Sequence, residues 1–161
     1  MSDYEPPEVD SLFYRYSDEA LSLLRIVAAL MFMLHGTSKL LGFPPFPMEQ
    51  PEIFSLLWVG GVMEIIGGLL LIVGLFSRPV AFLLSGEMAV AYWMFHAPKS
   101  TFPSENGGEA AILYCFVFLL IAAAGPGAWS LDAKLRGKRT LVVDNTADIG
   151  RVRGQDFPNV E

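Results

Sequence analysis

Four apolar stretches, each broken by charged residues, set the pattern of this chain: "LLRIVAALMFMLHGTSKLL", "IFSLLWVGGVMEIIGGLLLIVGLF", "PVAFLLSGEMAVAYWMF" and "GGEAAILYCFVFLLIAAAG". A helix rising ~1.5 Å per residue needs about 20 apolar residues to cross ~30 Å of hydrocarbon. That requirement predicts spans at 19–41, 53–76, 79–97 and 108–125. The last is short, and a tilt or a locally thinned bilayer would accommodate it. The expected fold class is all-α, an integral membrane four-helix bundle. The chain divides into a leader with interfacial aromatics (1–18), a membrane domain (19–132) and a polar tail (133–161).

The polar exceptions carry the information. Arg25, His35 and Lys39 lie on the first span, Glu64 on the second and Glu87 on the third, while Glu109 opens the fourth. A charged side chain such as Asp at the bilayer centre costs roughly 2.5–3.5 kcal/mol even on lenient insertion scales. Such groups therefore face the bundle interior, pair with one another or take up a proton. On the first span Arg25, Ala28, Ala29, Phe32, His35, Gly36 and Lys39 recur at three- and four-residue spacing and form one stripe. On the second, Gly60, Glu64 and Gly68 are four apart, with Gly61 and Gly67 beside them. Small residues at that spacing let backbones approach closely, which places Glu64 in a helix–helix seam. The same seam could serve a homodimer. From the helical rise, Glu64 lies ~16 Å below the outer end of its span and Glu87 ~12 Å above the inner end of its own, so the two carboxylates are nearly level. His35 is higher, and Lys39, His96 and Glu109 are near the outer rim.

Charge sets the orientation. With four spans, Arg15, Arg78, Lys134, Arg136, Lys138 and Arg139 share one side, against Lys99, Glu49, Glu52 and Glu105 on the other. The positive-inside rule puts both termini in the cytoplasm, with the protein multi-pass in the cell (inner) membrane. Phe13, Tyr14, Tyr16 and Trp129 form the expected inner aromatic belt, and Trp58, Tyr92 and Trp93 lie closer to the outer half. The proline-rich outer loops read as a cap over the outer end.

Composition removes several classes. The net charge is −6, much of the negative charge lies in the tails, and no basic patch is interleaved with aromatics, so nucleic acid is not expected as a partner. The acidic, proline-containing start does not read as a cleavable signal. One cysteine, Cys115, rules out an internal disulfide or a CxxC pair and reads as a packed apolar residue.

The polar core admits three readings. Glu64 and Glu87 tie helices together by pairing with Arg25, His35 or Lys39. Alternatively, they handle protons and polar groups of a bound small molecule. A metal is the least favoured: the ligand types are present, but no Glu-x-x-His pair of the di-iron kind occurs.

Arg25, "HGTSK" (35–39), "GGVMEIIGGLLLIVGLFSRP" (60–79), "EMAVAY" (87–92), His96, "NGGE" (106–109) and "GPGAWSLD" (125–132) together resemble the DoxX family of small four-helix membrane proteins, over about residues 20–132. The resemblance implies the fold. It also implies an association with membrane oxidoreductase systems, including thiosulfate:quinone oxidoreductase subunits and a complex with superoxide dismutase and a sulfurtransferase. On it rests the expectation of a redox-system subunit that binds a quinone or similar lipophilic molecule. Glu64, Glu87 and His35 are the expected catalytic residues, the carboxylates relaying protons. Lys39, Arg25, His96 and Glu109 are the expected substrate-binding residues. There is no haem motif, flavin fingerprint or dithiol, so electrons would come through a partner protein or a bound redox molecule. The alternative is a non-catalytic membrane adapter or assembly factor that docks a partner through its tail. A small transporter fits less well, since no inverted repeat is evident.

Overall fold

Helix α1 runs from Ser17 to Leu41 and stops where Gly42 turns left-handed (φ 68°), closing the last carbonyls. Helix α2, Leu56–Val73, starts at Ser55, whose hydroxyl accepts the Trp58 amide at 3.2 Å, and ends at left-handed Gly74 (φ 71°). Those two stops make it shorter than the predicted span of 53–76. Helix α3, Ser77–Ala91, begins two residues ahead of Pro79, which the first turn of a helix tolerates. It continues as one π-helical turn, Tyr92–His96. A short helix α4, Pro103–Asn106, leads into α5, Glu109–Ala124. A last helical segment covers 131–136.

The computed structural model describes residues 15–45 and 50–136, and among these there is no strand. Most of the predicted leader, Glu49 and the tail beyond 136 lie outside the described residues.

Packing is uneven. Helix α1 lies along α2, and α3 lies along α5, each in an extensive interface; the contacts of α2 with α3 and of α1 with α5 are slighter. The bundle is thus two tight pairs joined more loosely. Within the first pair, a Cβ on Gly36 would stand only 2.7 Å from the Gly61 carbonyl and 2.9 Å from the Glu64 Cβ, so hydrogen at this position is what lets the backbones meet. Gly68 likewise faces Met33 of α1, and Gly67 faces Leu84 of α3. The glycine stripe of α2 is spent on intrachain packing. Phe32, Tyr114 and Phe118 form an aromatic cluster between the pairs, with Phe32 edge-on to Phe118 at 4.8 Å.

The outward faces are apolar. Met31, Ile66, Leu69, Phe82, Leu113 and Phe116 are each more than half exposed. A soluble protein does not display so continuous an apolar surface. Helices α1 and α2 are long and apolar enough to cross a membrane, and α5 is apolar but shorter.

One end of the bundle is tied by long-range hydrogen bonds to backbone. Arg78 donates to the carbonyls of Ala122, Ala123 and Ala124 at the end of α5, between 2.6 and 3.0 Å. The amide of Trp129 reaches the Ser22 hydroxyl at 2.9 Å, and that of Asp132 reaches the Gly74 carbonyl at 2.9 Å. Helix ends leave unpaired N–H and C=O groups, and here other segments supply the partners.

Candidate functional site

At the opposite end the gap between the two helix pairs widens into a cavity of about 660 Å³. All four long helices wall it. Pro51 from the loop before α2, and Lys99 and Gly107 from the loop before α5, line it as well, so these two loops meet there. Most of the wall is apolar, including Phe32, Met63, Met88 and Phe95.

Glu64 enters from α2. The close approach at Gly36 and Gly61 brings α1 against α2 at this level, and Lys39, one turn beyond Gly36, reaches across. Lys39 Nζ stands 2.6 Å from Glu64 Oε1. Glu64 is only 2% exposed and Lys39 is 24% exposed. The other carboxylate oxygen, Oε2, is buried without a hydrogen-bond partner.

Glu87 enters from α3. A Cβ on Gly60 would lie 3.1 Å from Glu87 Oε1, so the carboxyl sits over the α2 backbone one turn from Glu64. Glu87 Oε2 is also buried and unpartnered. The carboxyl lies within electrostatic reach of Glu64 and Lys39. His35 lines the cavity on the α1 side, its ring edge-on to Tyr114 at 6.0 Å. His96, on the π-helical turn, donates from Nδ1 to the Asn106 carbonyl at 3.1 Å. In the neutral ring that leaves Nε2 as an acceptor. Asn106 fixes the loop around it, with Nδ2 donating to the Ser100 carbonyl at 2.8 Å and Oδ1 accepting the Gly108 amide at 2.7 Å.

Five of the seven residues singled out from sequence therefore line one cavity: His35, Lys39, Glu64, Glu87 and His96. Arg25 does not. It is fully buried at the other end of α1, where Nε donates to the Pro126 carbonyl at 2.8 Å and the guanidinium also bonds the carbonyls of Leu71, Ile72 and Trp129. Its donors are engaged by backbone, and it does not line the cavity. Glu109 is exposed in the first turn of α5 and is not part of the wall, although the next two residues are. Tyr114 is a polar wall residue that sequence reading overlooked. Its three- and four-residue spacing from Ala110, Ala111 and Phe118 marks the inward face of α5. Among the described residues no group of three His, Cys, Asp or Glu converges in a manner suited to a metal ion.

The DoxX family profile matches residues 20–97. A protein of Haemophilus influenzae described as uncharacterized is 48% identical over 125 residues, covering 74% of this chain and 93% of that protein. The inner membrane protein YphA of Escherichia coli is 29% identical over 127 residues, 71% of this chain and 89% of its own length. The inner membrane protein YqjF of the same organism is 25% identical over 131 residues, 77% of this chain and 98% of its own length. No solved structure matches the chain. A helical bundle with a lipid-type apolar surface, a matching family profile and near full-length relatives agree on one conclusion: the chain belongs to the DoxX family and is a multi-pass protein of the inner membrane.

Proposed function

We propose that this chain binds a small lipophilic molecule with a polar head, of the quinone class, between its two helix pairs, and that Glu64 and Glu87 exchange protons with that head. One observation carries the reading. Glu64 is almost fully buried and uses one oxygen on Lys39, yet its second oxygen has no partner, and the residue lines an apolar-walled cavity of about 660 Å³. An ion pair kept only to tie two helices is expected to have its remaining lone pairs satisfied. A cavity of this size, mostly apolar with a few convergent polar groups, is typical of small-molecule sites. Lys39 and His35 supply hydrogen bonds to an oxygen of the head, and His96 and the outer loops border the entrance. Reduction of a quinone takes two electrons and two protons. With one cysteine the chain has no dithiol of its own, so a partner protein supplies or removes the electrons while these residues bind the head and move the protons.

The same reading takes all four long helices as spans, with both termini cytoplasmic and the cavity in the outer half. Supporting it, α3 and its π-helical turn together run 20 residues, and α3 and α5 carry outward Phe82, Leu83, Leu113 and Phe116. Arg15, Arg78, Lys134 and Arg136 gather at the end away from the cavity, which the positive-inside rule assigns to the cytoplasm.

Titration of a short-chain quinone into the purified protein in lipid nanodiscs, followed by calorimetry, tests the proposal. Saturable binding that weakens roughly tenfold or more in Lys39→Met supports it. Non-saturable partitioning, identical in the variant and in empty discs, would sink it.

A further inference from the structure

Tyr114 stands on α5 in the cavity wall, with its ring held by three others. Phe118 stacks on it at 5.7 Å between centroids, Phe32 tilts against it at 5.3 Å and His35 meets it edge-on at 6.0 Å. Those contacts need only an aromatic ring, and phenylalanine would make them equally well. Packing therefore leaves the hydroxyl unexplained. Among the described residues it makes no hydrogen bond. Nor is it closed off as the second oxygens of Glu64 and Glu87 are. Glu64 lies within electrostatic reach of it, which places the hydroxyl on the polar side of the wall.

A buried tyrosine hydroxyl ordinarily finds a partner. A lipophilic ligand that fills the cavity takes water away from this group, and a polar group left unpaired on burial costs about 1–3 kcal/mol. The ligand must therefore bring an acceptor to it. Lys39 makes a similar demand. It is 24% exposed, and its ammonium has three N–H donors of which one goes to Glu64 Oε1. Lys39 belongs to the α1–α2 pair and Tyr114 to the α3–α5 pair, so each helix pair brings a donor to the gap between them.

We infer that the Tyr114 hydroxyl is a second hydrogen-bond donor to the ligand, whose head carries two separate acceptor oxygens, one for Lys39 and one for Tyr114, and so joins the two helix pairs. The inference rests on the cavity reading proposed above and adds to it one residue and one requirement on the ligand. A 1,4-quinone meets that requirement with carbonyls on opposite sides of one ring. A ketone with a single carbonyl satisfies Lys39 and leaves the tyrosine hydroxyl unpaired, and a site built to bond both oxygens discriminates against it.

The test uses the full chain in lipid nanodiscs. A decyl quinone and an aryl ketone with one carbonyl and an equal tail are titrated by calorimetry into wild type and Tyr114→Phe. Wild type is expected to bind the quinone roughly three- to tenfold more tightly than the ketone. In Tyr114→Phe, which keeps the ring contacts, that preference disappears while the ketone binds as before. Infrared difference spectra give a readout that packing alone would not move. Both carbonyl stretches of the bound quinone should fall below their position in lipid, and one should return to it in Tyr114→Phe. Unchanged quinone affinity in the variant, an equal loss for both probes, or weaker binding with unaltered carbonyl bands overturns the inference and leaves a ligand cavity standing. If the variant fails to fold, wild type decides: a ketone that binds as tightly as the quinone overturns the inference. Absence of saturable binding by either probe overturns the cavity reading along with it.

Discussion

The Asp132 carboxylate accepts the backbone amides of Phe76 at 3.0 Å and Ser77 at 2.8 Å, from 56 and 55 residues further along the chain. These are orphan donors at the start of α3, whose own preceding residue, Phe76, provides no side-chain cap. Asp132 thus caps a helix in another part of the sequence and fastens the segment after α5 to the turn between α2 and α3. Burial pushes its carboxyl up, but hydrogen bonds from Ser77 and Phe76, with the positive charge of Arg136, outweigh this and hold it below the ordinary aspartate range. A carboxylate depressed in the folded state stabilises the protein above the unfolded pKa of about 3.9, and that contribution is lost as pH falls through the lower folded value. Asp132→Ala is expected to cost about 1–2 kcal/mol near neutrality. Thermal unfolding in mild detergent should place wild type and Asp132→Ala apart above pH ~5 and draw them together well below ~3.9. A gap that is constant across this window would refute the cap.

Arg25 closes the same end from the inside. Fully buried, it serves carbonyls of Leu71, Ile72, Pro126 and Trp129. Removing it takes this donor from the carbonyls of Pro126, Ile72 and Trp129, while that of Leu71 keeps the Gly74 amide, and a buried acceptor left unpaired costs about 1–3 kcal/mol. Arg25→Met is expected to destabilise by about 3 kcal/mol or more. Arg25→Lys should recover only part of that, since an ammonium lacks the planar fork that spans separate carbonyls. Ligand binding per folded molecule should be unchanged in Arg25→Lys, because the residue lies outside the cavity. A selective loss of binding at intact stability would show that Arg25 acts on the ligand.

How far such roles could be read in advance depends on what leaves a trace in the side-chain pattern. Glu64 was legible because glycines at four-residue spacing mark the face it shares, and Lys39 was among its foreseen partners. The helix stripe through Arg25, His35 and Lys39 was also legible, and Arg25, Ala28, Ala29, Phe32 and Gly36 are indeed buried. But a stripe gives azimuth and not company. Arg25 is ~15 Å of helix from His35, and its partners are backbone carbonyls, which any residue carries and no motif announces. Glu109 read as a substrate-binding residue of the outer rim from its place at a span end. In the fold it is exposed in the first turn of α5, where a negative charge complements the helix dipole. The cavity itself had no sequence signature, since it arises from two tight pairs meeting loosely, a property of interfaces and not of any one helix.

The tight approach of α1 to α2 gives a steric prediction. Gly36→Leu puts carbon where the Gly61 carbonyl and the Glu64 Cβ already stand, within 3 Å of an added Cβ. Backbone cannot yield as a flexible side chain does, so the helices must separate or shear. Overpacking of this kind costs about 1–3 kcal/mol, with more expected where backbone is the obstacle. Because Lys39 and Glu64 reach each other across this seam, the variant should also lose their contact. A drop in melting temperature together with weakened quinone binding is the expected result. Unchanged values for both would mean that the seam is looser than its geometry implies.

The Lys39–Glu64 pair yields the most discriminating stability measurement. Glu64 is 2% exposed, so Lys39→Met leaves a carboxylate stripped of its counter-ion inside the protein. Breaking a buried pair from one side costs about 3–5 kcal/mol, whereas replacing both members by neutral groups of similar shape is often close to neutral. Lys39 is 24% exposed, which screens the attraction and puts the expected cost at the low end of that range. Lys39→Met should therefore destabilise by about 3 kcal/mol, and Lys39→Met with Glu64→Gln by markedly less, giving a coupling of about 1–2 kcal/mol in a double-mutant cycle. The cycle is to be read from unfolding midpoints in one detergent at one pH, without ligand. If the two substitutions simply add, the residues do not interact in the folded state and the 2.6 Å contact has no energetic weight. If they couple while the double variant is nearly as stable as wild type, stability alone gives no reason for an ion pair with an unpartnered Glu64 oxygen at a cavity wall, and its reason must be sought in the ligand.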